Sequence, residues 1–100
     1  MGEKSYNEPE EKLSKETKNL HRALVSLIEE LEAIDWYQQR VDAAEDESLR
    51  NILAHNRDEE KEHAAMLLEW IRRNDEAFAK ELKEYLFTEG KKITEIEKEN

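Results

Sequence analysis

Apolar residues recur along most of this chain at intervals of three, four or seven: Leu13, Leu20, Leu24, Leu27, Leu31, Ile34 and Val41 form the first such series. That spacing keeps side chains on one face of an α-helix, and with Pro9 suited to a first helical position it predicts a helix over about 9–41. Residues 42–48 are polar, and Asp46 or Ser48 there can cap a following helix by accepting an orphan backbone N–H. A second face follows in Leu49, Ile52, Leu53, Asn56, Glu60, His63, Leu67, Trp70 and Ile71, and it ends at Arg72-Arg73, where cations meet the negative end of the helix dipole. Asn74-Asp75 reads as a stop and a new cap, and Phe78, Leu82, Tyr85 and Leu86 make a shorter third helix closed by Gly90. Neither Gly nor Pro occurs between residues 10 and 89, so the expected fold is all-α, an antiparallel two-helix hairpin plus a short C-terminal helix. The domain runs over 9–90, flanked by a flexible N-terminus (1–8) and a polar, frayed tail or linker (91–100).

Two long helices, each with a wide apolar stripe, cannot cover one another fully. A twofold dimer in which two hairpins complete a four-helix bundle buries both stripes, so an obligate oligomer is expected. Composition sharpens this picture, because Leu, Ile, Val and Phe make up only 21 of 100 residues while 42% are charged. Such a chain sits close to the level below which charged sequences stay disordered, so it is the placement of the apolar residues that lets it fold.

The formal charge of -10 argues against nucleic acid and anionic membranes as partners and favours cations. No apolar run is long enough to span a bilayer and the first ten residues lack a signal peptide's apolar stretch, which leads us to expect a soluble, cytoplasmic chain. With no cysteine, any transition metal must be held by imidazole and carboxylate.

Within the second helix, His63 follows Glu60 by three residues, which sets carboxylate and imidazole one turn apart on the same face. By itself this spacing is weak, since about one His in five would have it by chance in so Glu-rich a chain. Its placement is what counts: both residues fall where the period expects apolar side chains, and an unpaired charge buried there would cost several kcal/mol. Glu30, one turn from Leu27 and from Ile34, borders the apolar stripe of the first helix. A Glu from one helix with a Glu-x-x-His from its neighbour is half of a carboxylate-bridged di-iron site, so a twofold pair of chains would supply four carboxylates and two imidazoles to two metals. The bland alternative is a polar core network in which Glu60 and His63 pair with Asn56, Tyr37 or Arg57. Glu29 and Glu32 read by default as a solvated acidic face, and His21 and His55 as surface or interface residues. Trp36, Tyr37, Met66 and Trp70 read as packing, Tyr37 being the aromatic best suited to donate a hydrogen bond or an electron near a metal.

The segments Glu29-Glu30-Leu31-Glu32-Ala33-Ile34-Asp35-Trp36-Tyr37 and His55-Asn56-Arg57-Asp58-Glu59-Glu60-Lys61-Glu62-His63-Ala64-Ala65-Met66 closely resemble the encapsulated ferritin family, as does Tyr85-Leu86-Phe87-Thr88-Glu89-Gly90. The resemblance covers about residues 10–90. It implies a ferritin-like hairpin that dimerises around a di-iron ferroxidase site, and an open ring of five dimers. It also implies Fe(II) oxidation by O2 inside an encapsulin nanocompartment whose shell stores the mineral. Carried over position by position, Glu30, Glu60 and His63 match the family's iron ligands and Tyr37 a tyrosine close to them. Glu29 and Glu32 match carboxylates that bind metal near the entrance, and Trp36 matches a neighbouring aromatic. Residues 91–100 resemble neither the family's targeting peptide nor a shell domain, as a truncated chain or the front part of a fusion would. Two other readings stand beside this one: a non-catalytic helical dimerisation module, and a di-metal protein that handles manganese or peroxide.

Overall fold

The structure, a computed structural model, describes residues 5–99. It is all-α: a 3-10 turn at Glu10–Lys12 precedes α1 (Lys15–Ala43), α2 (Glu47–Asn74), α3 (Glu76–Tyr85) and α4 (Ile93–Glu99). No helix among the described residues is long and apolar enough to cross a membrane. The long helices α1 and α2 form the hairpin, α3 packs on α2, and α4 packs on α3.

Short polar side chains set the ends of the helices. Asp46 accepts the backbone N–H of Leu49 at 2.8 Å and starts α2, while Arg50 reaches back to the Ala44 carbonyl and closes the turn. Asp75 does the same for α3, accepting from the backbone N–H of Phe78 at 2.9 Å. These are N-caps, each satisfying a donor that has no partner within its helix.

Three expected boundaries move. The first helix begins at Lys15, not near Pro9, because Leu13 is extended and the Ser14 hydroxyl accepts the Thr17 N–H at 3.0 Å, making Ser14 the N-cap; Pro9 instead leads the 3-10 turn. Gly90 does not close α3. That helix ends at Tyr85 with Leu86 as its C-cap, and the first left-handed residue beyond it is Phe87 (φ 62°), while Gly90 (φ 78°) turns the chain toward α4. Finally, the stretch expected to be a frayed tail contains α4, whose Ile96 is only 5% exposed. The Tyr85 phenol is pushed above its ordinary value by burial and by the carboxylates of Glu97, Glu81 and Glu84, which places α4 beside the end of α3. Of the N-terminus expected to be flexible, residues 1–4 lie outside the described residues, and Tyr6 packs its ring against His21 with centroids 4.7 Å apart.

The core is small. Among the described residues, buried apolar side chains are limited to Ala23, Ala64, Ile71 and Ile96, while Leu24, Ile28, Leu31, Leu49, Ile52, Met66 and Trp70 stay at least a third exposed. The radius of gyration is 17.4 Å, against about 13 Å for a compact 100-residue domain. Helical geometry separates the exposed residues into two stripes. Leu24, Ile28 and Leu31 lie about a quarter turn to one side of the α1 line that meets α2, and Ile52, Met66 and Trp70 lie a similar angle or more off the α2 line, with Leu49 on the same side but closer to it. Because the two helices run antiparallel, these stripes emerge on opposite sides of the hairpin.

The outer surface of α2 also carries a charge cluster. Glu69 accepts hydrogen bonds from Arg72 and Arg73, all at 2.7 Å, and they hold its carboxyl near about 2, well below the ordinary 4.5. A carboxyl lowered on folding contributes stability above its unfolded value and loses it as pH falls through the folded one. NMR titration of the Glu69 side-chain carboxyl is expected to give a midpoint close to 2; a midpoint near 4.5 would show that the cluster does not form.

Candidate metal centre

Glu30 stands near the middle of α1, and Glu60 and His63 stand near the middle of α2, one turn apart. The antiparallel hairpin brings them together. His63 Nδ1 lies 3.6 Å from Glu30 Oε2 and 3.6 Å from Glu60 Oε2, and one ligand atom from each of the three residues falls within 4.8 Å of the others. Among the described residues this is the set of His, Asp and Glu side chains that converges as a metal site would.

Those separations are too long for hydrogen bonds. Glu30 Oε2 is buried without a hydrogen-bond partner, and such an acceptor costs about 1–3 kcal/mol when left unmet. Two carboxylates and an imidazole thus point at a common space without satisfying one another. At bonds of about 2.1 Å, opposite ligands of a divalent ion are about 4.2 Å apart, so the trio is at most about half an ångström wider than a first-row metal requires. The donor set, hard oxygens with one imidazole, suits iron, manganese or zinc. His63 is 42% exposed and each carboxylate 24%, so one side of the trio remains open.

The polar-network alternative is not what the hairpin forms. Arg57 donates from Nη1 to Gln38 Oε1 at 3.1 Å and from Nε to Asp58 at 3.0 Å, and neither Asn56 nor Tyr37 hydrogen-bonds to any of the three. Tyr37 is half-buried two turns beyond Glu30 on the same face of α1, with the Arg40 guanidinium 5.3 Å over its ring. Trp36 is 54% exposed on another face. Glu29 and Glu32, both half-buried, stand apart from the convergent trio. His55 pairs with Glu59 on the surface of α2. Sequence reasoning missed Gln38 and Asp58, the two partners of Arg57; Gln38 carries no helical-face signal of its own and is found only once the hairpin register is known.

The all-helical hairpin is a ferritin-like fold, and its convergent carboxylates and histidine form a group that could hold a metal ion. Residues 5–89 match the EncFtn-like family, and the chain belongs to it. It is 67% identical to the encapsulated ferritin-like protein of Rhodospirillum rubrum over 93% of this chain and 66% of that protein, so it spans just under two thirds of that relative's length. The encapsulin nanocompartment cargo protein EncC of Myxococcus xanthus is 46% identical over 55% of this chain and 42% of its own. The crystal structure of protein ne0167 from Nitrosomonas europaea superimposes with a TM-score of 0.83 at 67% identity, covering 87% of this chain and 96% of that one.

Glu30 offers a direct test of whether the trio is built for stability or for a ligand. In metal-free protein, Glu30→Leu is expected to raise unfolding stability by about 1–2 kcal/mol in urea denaturation with chelator present, because it removes an unmet buried acceptor. Destabilisation by that amount would mark Glu30 as a structural residue.

Proposed function

We propose that the protein is a ferroxidase, in which Glu30, Glu60 and His63 bind Fe(II) and a symmetry-related trio from a second chain completes a di-iron centre at the dimer interface. The observation that carries this reading is the convergence of the three side chains within 4.8 Å on facing helices, with Glu30 Oε2 buried and without a hydrogen-bond partner, in a chain of the EncFtn-like family.

The second chain enters for a physical reason. His63 lies within the exposed stripe of Leu49, Ile52, Met66 and Trp70, so covering that stripe also closes the open side of the trio. Fully burying a Leu, Ile or Met side chain is worth about 1.5–3 kcal/mol, and an isologous contact doubles every such gain. Twofold symmetry then brings four carboxylates and two imidazoles to two divalent ions, a neutral set. The stripe of Leu24, Ile28 and Leu31 on the opposite side supplies a second contact surface, which supports assembly of dimers into a larger body. Five dimers in an open ring is the arrangement that the family resemblance implies.

In this mechanism Fe(II) is the substrate. The carboxylates of Glu30 and Glu60 are hard, anionic ligands that favour Fe(III) over Fe(II), and so lower the free energy of the oxidised product. Each iron gives up one electron and O2 is the acceptor. In this reading Glu30, whose Oε2 is buried, would be shared between the two ions, and Glu60 and His63 would complete the ligand set of each. Tyr37, two turns along the same helical face, is the hydroxyl that the family resemblance implies as a donor of a hydrogen bond or an electron. Glu29 and Glu32 act as weaker ligands on the way in, beside Trp36, and the net charge of -10 draws cations toward the surface. The names of the Rhodospirillum and Myxococcus relatives support an encapsulin nanocompartment as partner and place of work, and the family resemblance implies that its shell stores the ferric product.

Aerobic Fe(II) oxidation by the purified protein, followed by ferric absorbance, tests the assignment. Glu30→Ala and His63→Ala are each expected to slow the initial rate by about tenfold or more, as the loss of a metal ligand requires. Wild-type rates in either variant would reject the site. Metal analysis of protein matured in cells is expected to find iron, and manganese in its place would redirect the chemistry.

A further inference from the structure

Two polar groupings face one another across α1 and α2, on different flanks of the hairpin. One is the Glu30–His63–Glu60 convergence. The other is the hydrogen bond from Arg57 Nη1 to Gln38 Oε1 at 3.1 Å, about two helical turns from Glu30 along α1 and about one turn from Glu60 along α2. Helical geometry puts Glu30 and His63 on the flank that carries the Met66 and Trp70 stripe, and puts Gln38 and Arg57 on the other side of the helix–helix contact line. The Arg57 side chain is only 19% exposed, and its guanidinium is fixed from the other direction by Asp58, 3.0 Å from Nε. The Arg57 fork is therefore oriented before it meets Gln38, and the planar geometry of guanidinium makes that contact directional.

We propose that Gln38 and Arg57 are positioning residues, a clasp that fixes the register and roll of α1 against α2 and thereby holds Glu30 opposite Glu60 and His63. The reason lies in what else joins the helices. The buried residues of the hairpin contact are Ala23, Ala64 and Ile71, while Leu27, Ile34, Leu53 and Leu67 on the facing sides are only half-buried, so the apolar contact interlocks weakly along the axis. Carboxylates that repel one another across a metal-free site push the helices apart on one flank. A directional bond on the opposite flank opposes both sliding and rolling. Metal ligands must be held to about 0.5 Å, whereas a slip of one turn is about 5.4 Å, so even a small loss of register empties the site of its geometry. This inference rests on the metal-site reading above.

The test uses the full chain and three variants, Gln38→Ala, Gln38→Glu and Arg57→Lys, each checked for wild-type helicity by circular dichroism. Anaerobic titration with Co(II), read by its visible absorption, reports ligand geometry. Gln38→Ala and Arg57→Lys are expected to bind Co(II) about three- to tenfold more weakly with a shifted spectrum, and Gln38→Glu, which keeps an acceptor, is expected to stay within about twofold of wild type. A spin-label pair at Asp35→Cys and Ala65→Cys, in labelled chains diluted with unlabelled ones, reports register without any metal. Its distance distribution is expected to broaden or shift in Gln38→Ala and to recover in Gln38→Glu. An unchanged distribution in folded Gln38→Ala overturns the clasp. Weakened Co(II) binding that Gln38→Glu does not rescue also overturns it. If wild type takes up no Co(II), the metal-site reading fails on that control alone, and the spin-label distances still decide whether the clasp sets register.

Discussion

Two antiparallel helices have one face each for the other and none left to cover what remains. In this chain that geometric shortage coincides with an electrostatic one: at the middle of the hairpin, two carboxylates and an imidazole approach to 3.6 Å without bonding, and one carboxylate oxygen is buried with nothing to accept from. A cation relieves the second shortage and a second hairpin relieves the first. The same surface serves both, because His63 sits inside the exposed apolar stripe of α2. In the proposed dimer, stability and chemistry are therefore coupled through one interface.

This coupling explains why the residues at the site break the local pattern. A hairpin selected for stability alone would carry apolar side chains at 30, 60 and 63, since these positions recur with the leucines and isoleucines around them. Carboxylates there cost stability in the metal-free chain and return it only when a cation is held between them. A like argument applies to the acidic surface. A charge of -10 on 100 residues opposes compaction, yet it raises the local concentration of the ions that the site needs.

Much of this was legible in the amino-acid sequence for reasons that can be named. The absence of Gly and Pro between 10 and 89 together with a 3.6-residue period leaves little alternative to long helices, and Asp46 and Asp75 cap them where the polar breaks fall. The spacing of Glu60 and His63 is a one-helix property, and Glu30 meets them because a tight turn at 44–46 fixes which residues of α1 face which of α2. What could not be read depends on tertiary context. Ser14 outcompetes Pro9 as the start of α1 because its hydroxyl reaches the Thr17 N–H while Leu13 stays extended. Helix α4 draws stability from burying Ile96 against α3, which no pattern in a seven-residue polar segment announces. The Gln38–Arg57 bond joins side chains 19 residues apart, and its existence follows from the register of the hairpin, not from either helix alone.

The claim on which the rest depends is that neither protomer alone owns a working centre. Dilution tests it most directly, with Fe(II) oxidation per chain measured across a concentration series alongside molecular mass by analytical ultracentrifugation. The expected result is that specific activity falls in step with the dissociation of the dimer and reaches background where single chains predominate. A single chain, stable at low concentration, that oxidises Fe(II) at the undiluted rate would contradict it.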